Sequence, residues 1–271
     1  EDAMRPTSDV RLVFELRGEG CSKSEIARRT GMSRSQIRQW LEAGIEDVLH
    51  SPMRERVRAA GVDYAVLCRR GECPFIADAD EPAYAYLFGQ YLGDGSISAH
   101  QRGVFRLRIT ACDAYPKIMD EIEVAIRAVL PANAVGRSAK IGCTDVGSYS
   151  KHWPCLLPQH GLGPKHRRPI VLEAWQARIA LDRYPQQLLR GLIHSDGCRS
   201  LNRVTAQGKP GSKQYTYPRY LFKNESEDIR GIFREACSRV GAEWTANSRN
   251  SISVARRDSV RILDAFIGPK S

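Results

Sequence analysis

Long apolar runs are missing from this 271-residue sequence, so it offers no candidate membrane span. Its first residues also lack the succession of basic, apolar and small segments found in a secretory signal. Its eight cysteines are scattered without a framework of close spacings, which favours reduced thiols over a disulfide scaffold. These absences argue against membrane-spanning and secreted proteins, and we expect a cytoplasmic protein.

Acidic residues are the minority charge in this chain. There are 41 Lys and Arg against 31 Asp and Glu, which gives a formal net charge of +10. Because the bias runs along the whole chain, it favours a polyanionic partner, with nucleic acid ahead of an anionic membrane surface. For any single run of charge, a role in solubility alone stays open.

Two stretches share one pattern, LFGQYLGDG at residues 87–95 and LRGLIHSDG at residues 189–197. Each predicts a short apolar helix with small residues four apart on one face, Gly89 and Gly93 in the first and Gly191 and Ser195 in the second. An interior Gly costs a helix about 1 kcal/mol relative to Ala, so such residues need a reason. Because small residues at this spacing let two backbones approach closely, we expect these helices to pack against each other.

Both predicted helices end in an Asp-Gly pair, at Asp94 and at Asp196. A carboxylate in the last turn faces the negative end of the helix dipole, typically a penalty of roughly 0.3 to 1 kcal/mol. One such helix end is common in proteins. A matched pair predicts instead two carboxylates held side by side to bind a divalent metal ion.

Both stretches resemble the LAGLIDADG motif of homing endonucleases. The eighth motif position, the metal-binding acid of that family, falls on Asp94 and Asp196. The sixth position, often acidic in the family, is Leu92 in one copy and His194 in the other. The resemblance implies a site-specific, monomeric endonuclease that hydrolyses double-stranded DNA with Mg²⁺ or another divalent cation. The candidate metal ligands are Asp94, Asp196, Gly93 and Ser195.

The order of predicted elements repeats after each motif as strand, strand, helix, strand, strand and helix, which indicates a pseudo-twofold pair. We therefore expect an α+β fold. In the family, two αββαββα half-domains form a DNA-binding saddle, and the matching boundaries here are residues 81–171 and 172–271. Before them we expect a small all-α helix-turn-helix domain at residues 1–45 and a linker at residues 46–80.

The helix-turn-helix expectation depends on four residues with matching spacing. Ala27 leaves room for a helix crossing, Gly31 suits the turn, and Ile37 and Trp40 suit the core. In this interpretation the third helix faces DNA with Arg34, Ser35, Gln36, Arg38 and Gln39. The alternative is a small helical domain with a polar outer face.

Further DNA contacts are expected on the strands. Strict alternation over residues 104–110 predicts one buried face and one polar, cationic face. The candidate DNA-binding side chains of the strand regions are Arg106, Arg108, Arg199, Arg203, Lys213, Arg219 and Lys223. Family members also carry a catalytic basic residue near the end of the fourth strand, and element order places it at Lys151 and at Arg256.

A group of Cys and His residues lies between the two copies, at Cys143, His152, Cys155, His160 and His166. The ligand types suit zinc, but the spacings match no ligand module, so zinc stays a minor alternative. Cys68 and Cys73 are better explained as ordinary thiols in the linker.

Two other functional classes compete with the endonuclease. Some transcriptional regulators join a degenerate LAGLIDADG domain to a helix-turn-helix, and a catalytically silent DNA-binding regulator of this kind is the main alternative. The retention of both Asp94 and Asp196 favours the enzyme. A recombinase is disfavoured, because no serine or tyrosine nucleophile motif accompanies the helix-turn-helix.

Overall fold

The computed structural model of the chain describes residues 7–49, 73–205 and 214–270. Most of the expected linker, Cys68 and Lys213 lie outside these residues. The chain divides into two compact units, Glu1–Pro74 and Phe75–Ser271. In the described ranges, no helix combines the length and the apolar character needed to cross a bilayer.

The first unit is helical where it is described, with helices Thr7–Gly18, Lys23–Thr30, Arg34–Ala43 and Ile45–Leu49. Its second and third helices are capped by the serines that precede them. Ser22 Oγ accepts from Glu25 N, and Ser33 Oγ accepts from Gln36 N, both at 3.2 Å. Gly31 ends the second helix at φ +66°, a conformation that favours glycine. These helices agree with the sequence prediction, and their role in DNA binding stays a prediction.

A small apolar core holds the first unit together. Val13, Leu16, Ile26, Met32 and Ile37 are buried there. Ala27 and Trp40 pack against this cluster, so the positions that suggested a close helix crossing do carry internal contacts.

The second unit is built on two four-stranded antiparallel sheets. The first sheet has the order β1-β2-β4-β3, with strands β1 Gly95–Ala99, β2 Phe105–Cys112, β3 Val135–Lys140 and β4 Cys143–Ser150. The second has the equivalent order β5-β6-β8-β7, with β5 Gly197–Thr205, β6 Gln214–Lys223, β7 Thr245–Ser248 and β8 Ser251–Val254. The matching strand orders confirm a repeated α+β architecture.

Helices cover one face of each sheet and connect the strands. We name Glu81–Asp94 the first motif helix and Pro185–Asp196 the second motif helix. The remaining helices from residue 74 onward are Pro74–Ala77, Pro116–Val129, Trp153–Leu156, Ala174–Ala177 with a π-helical extension Arg178–Arg183, Glu227–Arg239 and Arg257–Asp264, and short 3₁₀ turns lie at Gln101–Gly103 and Lys165–Arg167. Each copy therefore shows the predicted element order, although the helix that closes the first copy is only one turn long.

The two motif helices meet backbone to backbone. A methyl group placed on Gly89 would lie 2.6 Å from the carbonyl oxygen of Leu188, and one on Gly191 would lie 2.2 Å from the carbonyl oxygen of Tyr86. Both distances are far below van der Waals contact, so only glycine fits at these positions. The small-residue faces predicted from the sequence therefore form the contact between the two halves.

Buried polar groups fix the register of this contact. His194 is 4 % exposed, and its Nε2 lies 3.0 Å from the carbonyl oxygen of Ile267. Since a carbonyl oxygen only accepts, Nε2 carries a hydrogen atom. Nδ1 of His194 lies 3.2 Å from the hydroxyl of Tyr86, and that hydroxyl accepts a hydrogen bond from Gln90 Nε2 at 2.8 Å. His194 is thus a packed, hydrogen-bonded core residue.

Gly89→Ala and Gly191→Ala should each destabilise the chain by about 1–3 kcal/mol or more, because the added methyl group must push the two helices apart. Urea unfolding measures this change in free energy.

Gly231→Ala provides the matched control, since Gly231 also lies inside a helix but its nearest neighbour to an added methyl group would be 3.8 Å away. This variant should be neutral or more stable by up to about 1 kcal/mol. Native-like stability of Gly89→Ala would contradict the backbone contact.

Candidate functional site

The two acids lie together where the motif helices end. Asp94 and Asp196 are the last residues of the two helices, and Gly93 packs against Ser195 between them. A methyl group on Gly93 would lie 2.2 Å from Ser195 Oγ and 3.2 Å from the carboxyl carbon of Asp196. The close packing of the two helices therefore brings both carboxylates to one place.

Asp94 is exposed at the protein surface and Asp196 is half-buried, but both carboxyl groups lie among enough protein atoms to lose part of their hydration. Burial among protein atoms and, second, the neighbouring carboxylate of Asp196 raise the pKa of Asp94 to about 6, although the charges of Lys165 and Lys270 oppose the rise. Burial also raises the pKa of Asp196, against the hydrogen bond from Asn224 and the charges of the same two lysines. A bound cation would stabilise the charged form of both carboxylates and offset their mutual repulsion.

Two lysines approach the acids symmetrically. Lys165 Nζ donates to the carbonyl oxygen of Gly93 at 2.8 Å, and Lys270 Nζ donates to that of Ser195 at 3.1 Å. Each ammonium group thus binds the carbonyl directly before one of the acids. Burial lowers the pKa of Lys165 to about 8, although Asp196 and Asp94 oppose this shift. Burial lowers the pKa of Lys270 as well, against the charge of Asp94.

The sequence contains a repeated signal for these lysines outside the two motifs. The tripeptide Gly-Pro-Lys occurs near the end of each copy, at residues 163–165 and 268–270. The glycines, Gly163 and Gly268, have φ angles of +77° and +72°, so each turn needs its glycine. A repeated tripeptide near the ends of two repeated units identifies both lysines without a structure.

A catalytic role for Lys151 and Arg256 stays a prediction, and the structure places two other cations, Lys165 and Lys270, at the acids. Arg256 pairs with Glu243, and its side chain is 72 % exposed. The charges that influence both Asp94 and Asp196 are those of Lys165 and Lys270. These lysines lie fourteen residues after Lys151 and after Arg256, respectively. Lys151 and Arg256 are therefore at equivalent positions of the two copies. The lysines that reach the acids lie further along the chain, in the segments that follow these positions.

Asn224 gives Asp196 a side-chain hydrogen bond, so the surroundings of the two acids differ. Its Nδ2 donates to Asp196 Oδ2 at 2.5 Å, and its Oδ1 accepts from Ser226 N at 2.8 Å, which fixes the side chain. Asn224 lies in the turn between β6 and the helix Glu227–Arg239, a place where an asparagine is usually a turn former. The open pocket beside Asp196 is lined by Leu92, Gly93, Lys165, His166, Lys223, Asn224 and Glu225.

On the first sheet, the cationic face predicted by alternation is present. Leu107 and Ile109 of β2 are fully buried, so Arg106 and Arg108 point to the opposite face. The guanidinium group of Arg106 lies 5.6 Å from the ring centre of Tyr149, which directly opposes it on β4. This face is therefore cationic and carries an aromatic side chain.

On the second sheet, Arg219 and Lys223 lie on the corresponding face, because Tyr220 and Phe222 between them point into the core. Arg219 opposes Ser200 as Arg106 opposes Ser98, so the two arginines occupy equivalent positions.

Arg199 and Arg203, in contrast, do not share a face with Arg219 and Lys223. Arg199 opposes Tyr220, and its guanidinium group donates to both carboxylate oxygens of Asp264 at 2.8 and 3.0 Å. It therefore lies on the helix side of the sheet, and Arg203, four residues on along β5, shares that side by alternation. The sequence of β5 has no clean alternation of apolar and polar residues, so only its pairing with β6 reveals its faces.

The Cys and His residues proposed as zinc ligands have varied neighbours. His166 lines the pocket beside Asp196, and the ring of His160 lies 5.8 Å from that of Phe105. Burial lowers the pKa of His160, against the charge of Cys155. Cys143 opposes Cys112 across β4 and β2. Zinc binding stays a sequence-based alternative.

In the first unit, the residues expected to face DNA lie on one helix. Arg34, Ser35, Arg38 and Gln39 are exposed on Arg34–Ala43, and Gln36 is half-buried. The opposite side of this helix buries Ile37 in the core. The arrangement fits either a DNA-reading helix or a helical domain with a polar surface.

The raised pKa of Asp94 links the stability of the chain to pH. Its folded-state pKa of about 6 exceeds the ordinary value of 3.8, so the folded chain holds a proton that the unfolded chain releases. The stability from this group is complete below the ordinary pKa and is lost as the pH rises through about 6. In metal-free buffer, Asp94→Asn should therefore become more stable relative to the native chain from about pH 4 to about pH 7.

Urea unfolding with a chelator present, repeated across this pH range, measures the trend. Asp258→Asn, at an exposed acid, is the control and should not reproduce it. A stability difference between Asp94→Asn and the native chain that stays constant with pH would contradict the raised pKa.

Models of protein families and curated protein sequences give no match to this chain. Solved structures of homing endonucleases do match it. I-DmoI in complex with DNA and Mn is 12 % identical with a TM-score of 0.46, and the match covers 70 % of this chain and 98 % of that one. I-SmaMI bound to uncleavable DNA is 8 % identical with a TM-score of 0.44, covering 68 % and 84 %. The LAGLIDADG meganuclease I-AabMI bound to uncleaved DNA is 12 % identical with a TM-score of 0.42, covering 68 % and 82 %. These values describe a distant similarity.

Proposed function

We propose that this chain is a metal-dependent endonuclease that cuts both strands of DNA at a specific site. The observation that carries the proposal is the pair of acids at the joined ends of the motif helices, each with a lysine on the carbonyl group before it. The sequence resemblance to the LAGLIDADG motif names the same two acids, Asp94 and Asp196. A helix contact that serves stability alone requires neither two acids with raised pKa values nor two half-buried lysines beside them.

The residues around the acids fit a hard divalent cation. All candidate donors are oxygen atoms, namely the carboxylates of Asp94 and Asp196 and the carbonyl groups of Gly93 and Ser195, and Mg²⁺, Mn²⁺ and Ca²⁺ prefer oxygen ligands. Both carbonyl oxygens already bind an ammonium group, so their surroundings accept positive charge. When bound, the metal supplies an activated water molecule and stabilises charge on phosphate oxygens.

The chain's own residues would position and stabilise the reacting groups. With a pKa of about 8, Lys165 is mostly protonated at neutral pH, and its ammonium group can stabilise negative charge on a phosphate held beside Asp94 and Asp196. Lys270 stands in the equivalent place of the other copy. Asn224 would hold one oxygen of Asp196 and leave the other for the metal.

The cationic sheet faces provide the DNA contacts in this proposal. Arg106 and Arg219 occupy equivalent positions on the two sheets. Lys223, on the same face as Arg219, also lines the pocket beside Asp196. Two copies with one acid and one lysine each would address the two DNA strands, and a single chain then suffices. The acting form in this proposal is a monomer.

Cleavage tests this proposal directly. The binding site is first selected from a randomised duplex library, and single-turnover cleavage of that site is then measured in Mg²⁺ and in Mn²⁺. Asp94→Asn and Asp196→Asn should abolish cleavage because each removes a charged metal ligand. Lys165→Met and Lys270→Met should slow it by about 10²-fold or more, since each removes a cation from the developing charge.

Lys117→Met, at an exposed lysine on another helix, is the matched control and should cut like the native chain. Absence of cutting at a tightly bound site would identify the chain as a catalytically silent DNA-binding regulator. Cutting that survives both aspartate substitutions would exclude the proposed metal site.

We further propose that the first unit binds DNA as a helix-turn-helix. The exposed arginines of the capped helix Arg34–Ala43 support this role. Arg34→Ala and Arg38→Ala should each weaken DNA binding and reduce the slope of log affinity against log salt by about one, because each removes a phosphate contact. Fluorescence anisotropy at several salt concentrations measures both quantities.

The control for this test is Arg11→Ala, at an exposed arginine of the helix Thr7–Gly18. It should leave the affinity and the salt slope unchanged. If Arg34→Ala and Arg38→Ala behave like this control, the first unit is a helical domain without a DNA-binding face on this helix.

A further inference from the structure

Two cysteines face each other on the outward side of the first sheet. Cys112 ends β2 and Cys143 begins β4, and they are direct partners in the antiparallel pairing of these strands. Both are free thiols, one exposed and one half-buried. Nothing in the proposed function uses either of them.

The hydrogen-bond pattern shows which kind of cross-strand pair they form. The pair that follows them contains Asp113, whose backbone N–H donates to the carbonyl oxygen of Gly142 at 3.3 Å. Hydrogen-bonded and non-hydrogen-bonded pairs alternate along an antiparallel ladder, so Cys112 and Cys143 form a non-hydrogen-bonded pair. Cys143 also opposes Lys140 of β3 across a two-residue turn. The N–H and C=O groups of Cys143 are therefore directed to β3 and not to Cys112, which agrees with this assignment.

Non-hydrogen-bonded pairs are the ones whose side chains come closest. Their Cα atoms are typically about 4.5 Å apart, which lies within the range of roughly 4.4–6.8 Å that a disulfide spans. The thiols of Cys112 and Cys143 also point to the same face of the sheet. The adjacent outward pair on these strands shows this, because Thr110 Oγ1 donates to Asp145 Oδ1 at 2.7 Å.

This thiol pair lies near one of the lysines of the candidate site. Cys112 influences the charge of Lys270, and so does Cys198 on β5. Lys140 opposes Cys143 on β3. The ammonium group of Lys140 is itself paired with Asp145 at 2.7 Å. The thiol pair therefore lies beside the candidate site with charged groups of both signs around it, and the proposal depends on the cross-strand geometry.

We propose that Cys112 and Cys143 are a redox modification site, a dithiol that converts reversibly into a cross-strand disulfide. The co-reactant is a low-molecular-weight disulfide such as oxidised glutathione. One cysteine, as its thiolate, attacks a sulfur atom of the co-reactant, which breaks that disulfide and releases one glutathione thiolate. The second cysteine then attacks the mixed disulfide and releases the second glutathione. Two electrons and two protons pass in total, from two cysteines to two molecules of reduced glutathione.

Peptide mapping of the full chain tests the proposal. The protein is equilibrated in glutathione buffers of increasing oxidised fraction, quenched by alkylation and digested without reduction. A linked peptide containing Cys112 and Cys143 should increase with the oxidised fraction and disappear after reduction. The closed form should also have a higher Tm than the reduced form, because the bond closes a loop between β2 and β4.

Conservative variants separate this pair from other thiols. Cys198→Ser should leave the linked peptide unchanged, since Cys198 opposes Leu221 and has no cysteine across the strand. Cys112→Ser should remove the linked peptide and leave Cys143 free for alkylation. The proposal is overturned if both cysteines take up glutathione singly at every buffer ratio, or if Cys112 links to Cys198 instead. Neither outcome depends on whether the chain cuts DNA.

Discussion

The two motif helices approach each other so closely that their backbones touch, and the candidate site depends on this contact. Gly89 and Gly191 have no room for a methyl group, and Gly93 leaves space only for Ser195. A larger residue at any of these positions would separate the helix ends. Since each helix ends in its aspartate, the packing of small residues sets the distance between the two carboxylates.

Bringing two carboxylates together carries an electrostatic cost, and the chain offsets part of it with its own cations. Burial and mutual repulsion raise the pKa of Asp94 to about 6. Lys165 and Lys270 counter this by binding the carbonyl groups beside the two acids, where they are themselves partly desolvated. The site is therefore an assembly of like charges balanced by nearby opposite charges, an arrangement suited to binding a divalent cation and a phosphate.

Much of this architecture could be predicted from the sequence, because it follows from local patterns. Small residues four apart gave the helix contact, and strand alternation gave the outward direction of Arg106 and Arg108. Long-range folding decided the rest. Lys165 and Lys270 lie in segments outside the regular strands and long helices, and these segments fold back to the acids. The order of predicted helices and strands could therefore not identify them, and it pointed to Lys151 and Arg256 instead.

On the second sheet, the side on which a residue lies was also beyond local sequence patterns. Arg199 and Arg203 lie on a strand without clean alternation, whose faces are determined by the neighbouring β6. Asn224 resembles an ordinary turn residue until Asp196 is found within hydrogen-bonding distance. Side chains that act through another strand or helix thus leave little trace in local sequence, whereas the repeated Gly-Pro-Lys tripeptide shows that internal repeats can still reveal them.

The central claim is that the joined helix ends hold a divalent cation between Asp94 and Asp196. Anomalous scattering from crystals grown with Mn²⁺ tests this most directly, because it locates the metal independently of any activity. The account predicts an anomalous peak within coordination distance of both carboxylates in the native chain and loss of that peak in Asp94→Asn. Manganese bound only elsewhere, with Lys165 and Lys270 still on the carbonyl groups of Gly93 and Ser195, would contradict it.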